Sequence, residues 1–558
     1  MRILFITHSF NSMAQRLYCE LSALGHLVSI EFDISDSVTE ESVTLFQPDL
    51  IVAPFLKRAI PESVWSRVPC FILHPGIPGD RGPSALDWAI QRGLSEWGVT
   101  VLQAEAEMDA GPIWATASFP SAPMRKASLY RNQVTEAAVR AVLQAVERFA
   151  AGDFTPQRVP GAAHAPMKQA DRAIDWQSDP TDVVLAKLNA ADGFPGVADH
   201  LYGAVCHLFD AWREGALRGS PGDLVARREG AICRATVDGA VWIGHVRRAG
   251  GIKLPATSAY PEAETLPEVP LADFWKSPVP TWQDIAYEEA GGVGFLSFEF
   301  YNGAMSTGQC IRLKEAFLWA AARPTRVIVL RGGQDFWSNG IHLNTIEAAE
   351  SPADESWANI NAIDDLAEAI LRCETQLVVS AVGGNAGAGG CFLARAADFV
   401  WVRDGVMLNP HYKNMGNLFG SEFWTYLLPP RVGEEGARAI MRHRLPMTAA
   451  ESVALGFYDA CLPGPGFVVD VARRAGELAS AANYDAQLAT KRARRQADEA
   501  EKPLAAYRAE ELKEMRRNFY GFDPSFHVAR YHFVSRSPHS WTPRHLAIHR
   551  DIDWKIPE

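Results

Sequence analysis

The chain is predicted to be α/β in both its halves, with a small all-β domain after the first and a helical tail after the second. Three observations predict this. Residues 1 to 120 alternate strand-length apolar runs with helically spaced segments. Residues 165–250 change to short strands separated by turns, and the alternation resumes at 284 after a proline-rich stretch. At 558 residues the chain is too long for one hydrophobic core.

The first segment, "RILFIT", has the length and uniform apolarity of a buried strand. "SMAQRLYCELSALG" is spaced as a helix and stops at Gly25, and "LVSIEF", "DLIVAPF" and "VPCFILH" follow as strands. Strands alternating with helices imply a parallel, open sheet whose ligands sit at the carboxyl ends of the strands. His74 ends one strand and is therefore a candidate functional residue. Farther on, "VVLAKLNAADGFPGV" reads as a helix and turn, and "DLVARREG", "AICRATVDG" and "VWIGHVRR" as strands of a small β-barrel. Pro255, Pro261, Pro267, Pro270, Pro278 and Pro280 mark 251–283 as a stiff linker. "VGFLSFEF", "RVIVLRG" and "QLVVSAVGG" begin a second buried sheet. In the tail, "TKRARRQADEAEKPLAAYRAEELKEMRRNF" carries mixed charge and reads as a solvated helical face. The expected domains are 1–164, 165–250, a linker at 251–283, 284–465 and a helical extension at 466–558.

A hydrophobic content of 47% with 22% charged residues fits a soluble globular chain, and a net charge of −12 disfavours nucleic acid as a partner. The eight cysteines form no C-x-x-C pair, so neither a metal site nor a redox pair is expected. Scattered thiols suit a reducing compartment. "MRILFITHSF" lacks the longer apolar core of a signal peptide, and no run is apolar enough to span a membrane. A cytoplasmic location is expected.

The stretch "FILHPGIPGDRGPSALDWAIQRG" holds an imidazole in a glycine- and proline-rich turn. Such a ring can take a proton or stabilise an oxyanion near neutral pH, and a carboxylate such as Asp109 can hold it. With "EWGVTV" and "EMDAGPIWA" downstream, the ordered set His74, Pro75, Gly76, Pro78, Arg81, Gly82, then Gly98 to Thr100, then Asp109, Gly111 and Ile113 resembles the 10-formyltetrahydrofolate-dependent formyltransferases. The likeness continues through Arg172–Trp176 and Gly193–Val197. It implies an open Rossmann-like domain followed by an OB-like barrel. It also implies that His74 and Asp109 manage the proton of formyl transfer, with Gly76, Arg81 and Gly82 at the folate. One departure stands out: Ile72 occupies the place of the family's asparagine. Losing an oxyanion donor costs ~2.7–4 kcal/mol in the transition state. A thiol acceptor, intrinsically more nucleophilic than an amine or hydroxyl, suits that loss.

"DFWSNGIHLN" and "AVGGNAGAGGCFLARAADFVWV", with "YNGAMS" before and "MTAAESVALGFYDACLP" after, resemble the crotonase (enoyl-CoA hydratase/isomerase) superfamily. The resemblance implies an oxyanion hole from the N–H groups of Ile341 and Gly389, close backbone approach at Gly387 and Gly390, and Asn302 near coenzyme A. The two glutamates with which hydratases activate water correspond to Phe392 and His411, so ordinary hydration is not expected. Glu422 and Tyr412 remain as a pair that could shuttle a proton.

The order of parts, together with Asn409–Gly433 and Lys502–Tyr531, resembles the HypX (HoxX) family of [NiFe]-hydrogenase maturation factors. What this implies is synthesis of the carbon monoxide ligand. Formyl would pass from 10-formyltetrahydrofolate to coenzyme A, and the formyl-CoA would be decarbonylated to CO and CoA. Arg131, Arg536 and Arg544 are the candidates for the CoA phosphates, with Gln15, Arg16 and Asn302 as further binding residues. The partners expected are these small molecules and, transiently, maturation proteins that receive CO, but neither nucleic acid nor membrane. Two rival readings share the same parts: hydrolysis of formyl-CoA to formate, and a non-catalytic folate or CoA sensor.

Overall fold

The computed structural model describes residues 1–551, in two compact units. The first comprises 1–251, 255–268 and the segment from 538; the second comprises 252–254 and 269–537.

The first unit opens with a six-stranded sheet in the order Leu27–Phe32, Arg2–Thr7, Leu50–Ala53, Cys70–His74, Glu96–Gln103, Ile113–Pro120. Its first four strands are parallel, as the alternation predicts. The last two run antiparallel, which the sequence reading does not anticipate. This matters for the site. The antiparallel register sets His74 opposite Thr100, so the strand-end histidine is held by a neighbour running the other way. The helix Ser12–Ala23 begins where Asn11 caps it, its side chain accepting from Ala14 N at 3.0 Å.

The expected barrel is an antiparallel sheet whose strands follow an open path: Leu224–Arg228, Ala231–Ala235, Ala240–Arg248, Ala204–Glu214, Val197–Leu201. The proline-rich stretch differs from a stiff linker. Ala256–Ala259 is helical, Pro261–Thr265 forms a 3-10 turn, and Tyr260 and Ala263 are buried. The division between units falls within the stretch, after Glu268.

The second unit winds as a spiral in which successive turns feed two sheets. Val327–Arg331, Leu377–Val382 and Phe399–Arg403 lie parallel in a six-stranded sheet. Each is followed by a short strand of a second sheet: Phe336–Ser338, Asn385–Gly387 and Met407–Asn409. The chemistry lies where the short strands end. The C-terminal extension forms Phe467–Ser480, Tyr484–Glu501, Leu504–Tyr520 and Ser525–Val534. It is not a solvated appendage: Leu504, Met515, Phe519 and Phe526 join the main core of this unit, and the charged residues Lys491, Arg495 and Glu511 are buried. Among the described residues no helix is long and apolar enough to cross a membrane. All eight cysteines are free thiols.

Residues 538–551 also depart from the expected helical tail, since they lie against the edge strand Leu27–Phe32 of the first unit. Ile30 N donates to Leu546 O at 3.0 Å. The fully buried Glu31 carboxylate accepts from His549 Nε2 at 2.9 Å, Arg550 Nε at 2.5 Å and the Thr542 hydroxyl. Burial alone would raise this carboxyl, but the bonds from His549, Thr542 and Arg550 outweigh it and hold the group below the usual glutamate value. A depressed acid contributes stability above its unfolded value and loses it as pH falls through its folded one. Breaking such a buried cluster costs about 3 kcal/mol. Glu31→Ala is therefore expected to release the segment from 538 to proteases at neutral pH. In the unsubstituted chain, limited proteolysis should cut there only as pH drops below the ordinary glutamate range.

Candidate active sites

In the first unit the apolar run Cys70–His74 carries His74 to the end of a buried strand, and the turn after it folds back on the ring. Trp97 Nε1 donates to Pro75 O at 2.9 Å and the Thr100 hydroxyl to Gly76 O at 2.7 Å, so the strand containing Gly98–Thr100 pins this turn. The carboxylate nearest the imidazole is Asp80, not the expected Asp109. His74 Nε2 lies 2.8 Å from Asp80 Oδ2, while Nδ1 lies 3.5 Å from Asp109 Oδ2. Asp80 Oδ1 in turn faces His164 Nε2 at 3.0 Å. The ring is thus held through Nε2, with Nδ1 facing Asp109, and a chain of contacts runs from buried His74 through buried Asp80 to the partly exposed His164. Asp109 sits at φ +55° and accepts from Gly82 N at 3.0 Å.

The glycines here also have a local reason. A methyl group on Gly76 would lie 2.6 Å from Asp80 Oδ2 and overlap the His74 ring. Gly82, at φ +94°, faces the His164 carbonyl. Both make room for the His74–Asp80–His164 chain. Arg81 turns away, pairing with Glu107 at 2.9 Å and donating to Val159 O at 3.3 Å. Ile72 packs against the apolar core beneath the sheet.

In the second unit, Gly389 is the first residue of the helix Gly389–Arg395, so its N–H has no partner one turn earlier. The residue before it, Ala388, is held at φ +47°, which sets the direction of that N–H. Gly340, at φ +75°, turns the chain into Ile341; it donates to Ser338 Oγ at 3.0 Å and accepts from Met305 N at 2.9 Å. A methyl on Gly340 would lie 3.6 Å from Gly389 N, so the two segments expected to form the oxyanion hole are adjacent. A side chain on Gly389 would overlap the Glu422 carboxyl, and one on Gly390 the Ser338 carbonyl.

Glu422 and Tyr412 do pair: the phenol donates to Glu422 Oε2 at 2.6 Å and also contacts Ser421 O at 3.1 Å. Both are buried. Burial, and then the neighbouring Asp364, push the Glu422 carboxyl up to about 8. Burial, and then Glu422, raise the Tyr412 phenol well above its usual value. Phe392 stacks on the Tyr412 ring, 5.9 Å between centroids and 11° between planes. The position where hydratases carry a catalytic acid is therefore an apolar wall behind the phenol.

The remaining binding candidates are scattered. Gln15 and Arg16 lie on the helix Ser12–Ala23; Gln15 donates to Phe10 O at 3.0 Å and Arg16 pairs with Glu20 at 2.6 Å. Arg131 lies in the π-helical turn Tyr130–Val134. Arg544, in the first unit, is exposed and donates to Arg550 O. Arg536, in the second, is exposed at φ +51°. Asn302 has φ +58° and its carbonyl accepts from Asn339 Nδ2 at 2.8 Å.

Comparison with known proteins accounts for both halves. Residues 1–146 match the formyl transferase family, 166–261 the formyl transferase C-terminal domain, and 303–542 the enoyl-CoA hydratase/isomerase family. A methionyl-tRNA formyltransferase of Trichlorobacter lovleyi is 26% identical over 39% of this chain and 70% of its own. The hydrogenase maturation factor HoxX of Bradyrhizobium diazoefficiens is 54% identical over 99% of this chain and 97% of its own length. The chain belongs to the HypX/HoxX family. Crystallised HypX from Aquifex aeolicus, in complex with tetrahydrofolic acid, superposes with a TM-score of 0.97 at 48% identity, covering both chains completely. The HypX/HoxX fold class is thus that of a formyltransferase half fused to a crotonase half, as the motifs imply.

Four residues of these sites carry no motif in the HypX/HoxX sequence: Asp80, His164, Asp364 and Glu511. Asp80 lies inside the quoted turn, but spacing alone does not say that it points back at the imidazole. His164 stands in an unpatterned Gly/Ala/Pro stretch. Its strand Ala162–Ala163 pairs with Asp80–Arg81, a contact with no periodicity to announce it.

Gly76→Ala is expected to push His74 off Asp80 and cut release of tetrahydrofolate from the formyl donor by about 100-fold, the usual penalty for misplacing a catalytic group. Asp80→Asn should lower the same rate without the steric clash. Both should bind folate like the parent chain by isothermal titration.

Proposed function

We propose that this protein makes the CO ligand of [NiFe] hydrogenase from a formyl group in two steps, one in each unit. The observation that carries the reading is the second site. A buried carboxyl is bonded to a phenol and set against the Gly389 end of an oxyanion hole, while the water-activating positions of a hydratase hold Phe392 and His411. Support for a folate at the first site comes from the HypX relative solved with tetrahydrofolic acid.

In the first step a thiol, that of coenzyme A, attacks the formyl carbon of 10-formyltetrahydrofolate. The new C–S bond forms as the C–N bond breaks. His74, held through Nε2 by Asp80, takes the thiol proton on Nδ1 and returns it to the departing nitrogen, and the nearby Asp109 carboxylate favours the charged ring. In the second step the formyl carbonyl lies on the N–H groups of Ile341 and Gly389. Because Tyr412 occupies Oε2, the other oxygen of Glu422 faces the substrate. Glu422 gives its proton to the leaving sulfur as the C–S pair moves onto it. The carboxylate so formed takes the formyl hydrogen, whose bonding pair becomes the lone pair of CO. The proton count closes on Glu422, and CO and CoA leave. Coenzyme A as carrier rests on the crotonase likeness and on chemistry. Arg131, Arg536, Arg544, Gln15, Arg16 and Asn302 are proposed to bind it. A cytoplasmic location and transient delivery of CO to maturation proteins complete the proposal.

Incubating the protein with 10-formyltetrahydrofolate labelled in the formyl carbon and CoA, with haemoglobin as a trap, should yield labelled carbonyl-haemoglobin; labelled formate instead would sink the reading. His74→Ala should stop both products. Tyr412→Phe and Glu422→Gln should let formyl-CoA accumulate and lower CO release by ~100-fold or more. Since the reactive form of Glu422 is protonated and its carboxyl titrates at about 8, CO release should decline as pH rises through that value.

A further inference from the structure

Glu422 sits in a backbone conformation that its side chain does not favour. It and Phe423 are consecutive left-handed residues, at φ +58° and +60°, preceded by Gly420 at φ +95°. Two left-handed non-glycine residues in succession are costly and persist only where surroundings over-determine them. Two carboxyl groups provide those surroundings, and the proton chemistry described above uses neither.

Asp364, on the helix Pro352–Leu371, accepts from Glu422 N at 2.8 Å through Oδ1 and from the Ser421 hydroxyl at 2.7 Å through Oδ2. Glu511, on the helix Leu504–Tyr520, accepts from Phe423 N at 3.0 Å through Oε2. Its Oε1 accepts from Thr425 N at 2.8 Å and the Thr425 hydroxyl at 2.5 Å. The same helix accepts from Phe419 N through Asn518 Oδ1 at 3.0 Å and holds Gly420 N against Met515 Sδ at 3.2 Å. Asp364, Ser421 and Glu511 are completely buried.

We propose that Asp364 and Glu511 are positioning residues of the second reaction: they grip the turn Ser421–Thr425 by its backbone N–H groups and so hold Glu422 between Tyr412 and Gly389. The proposal rests on Glu422 being the acid of formyl-CoA breakdown. It gives the C-terminal helical extension a part in catalysis, through a side chain that never touches the substrate.

The same placement sets the charge. The titratable groups that interact with Glu422 include Tyr412, Asp364, Glu511, Cys310 and Cys391, and buried His411 stands next to Tyr412 in the chain. Arg508 lies 3.9 Å from Asp364 and is already paired with Asp365 and Glu368. Three carboxyls in one dry pocket with one nearby guanidinium cannot all ionise. Asp364, the one beside Arg508, is raised to about 6, and Glu511, by burial and then Asp364, to about 8. Burial and the neighbouring carboxyls both favour the protonated form of Glu422.

The test follows formyl-CoA disappearance from pH 6 to 10 in the full-length protein, with CO and formate measured separately. Asp364→Asn and Glu511→Gln keep the side-chain size and one acceptor oxygen but remove an ionisable carboxyl. Both should move the pH break of kcat downward, most for Asp364→Asn, with KM for formyl-CoA unchanged and formyl transfer by the first unit unaltered. A break that stays where the parent's lies, in both variants, overturns the proposal, and so does a change confined to thermal stability. Hydrogen exchange in the unsubstituted protein is a second check that needs no variant: the amides of Glu422, Phe423 and Thr425 should be protected like core amides, and loop-like exchange overturns the clamp. Formate in place of CO would defeat the decarbonylation reading alone, since the clamp is read from the pH break whichever product forms.

Discussion

A side chain at position 389 and the carboxyl of Glu422 cannot occupy the same space, and the second site exists because a glycine yields to the carboxyl. Every feature around it serves that approach. Ala388 at φ +47° aims the Gly389 N–H, and the left-handed pair Glu422–Phe423 brings the acid in. Gly420 clears the Tyr412 ring, against which any side chain would collide. The first site follows the same rule on a smaller scale, with Gly76 leaving room for the His74–Asp80 contact. In both places the protein's own side chains leave no room for anything but glycine.

Such contacts decide how much of the molecule was legible in the sequence. Alternating apolar runs specify buried strands, so the two α/β halves and the strand-end place of His74 could be read directly. Motif order carried Gly389, Ile341 and the Tyr412–Glu422 pair. Asp80 escaped, although it lies six residues from His74, because no spacing rule says that a turn folds back on its own histidine. Glu511 escaped for a different reason. In a run as charged as "RAEELKEMRRNF" one buried glutamate looks like its exposed neighbours, and only the fold shows that Glu511, Met515 and Phe519 face inward at helical spacing. The two antiparallel strands of the first sheet and the return of residues 538–551 to its edge strand were likewise set by pairings distant in sequence.

Buried polar groups are expensive unless bonded, and the second unit places several together. Asp364, Glu422 and Glu511 would be a grave liability if all were charged. Prevented by burial from ionising together and bonded to backbone and hydroxyl donors, they become a rigid frame instead. The cost appears as left-handed backbone at Glu422 and Phe423, which an apolar core would not tolerate without such anchors. Strain of this kind concentrated at one turn is the mark of a site whose geometry was bought with stability.

The change of chemistry within a crotonase frame then follows from what its substrate lacks. A formyl thioester has no carbon beyond its carbonyl, so there is no double bond to hydrate and no enolate to form. What it needs is a proton for sulfur and a base for the single C–H, both on the same side of the carbonyl. In the mechanism proposed above one carboxyl, Glu422, does both in turn, provided water stays away, since hydroxide attack would divert the thioester to formate. Phe392 meets this need where a hydratase holds a glutamate. Stacked on Tyr412, it backs the Tyr412–Glu422 pair with an apolar surface and offers water no group that could activate it. On the proposed mechanism, the loss of the hydratase acids and the presence of the Tyr412–Glu422 pair are one adaptation. With the acids restored beside Glu422, water would be activated at the very carbonyl from which CO must depart.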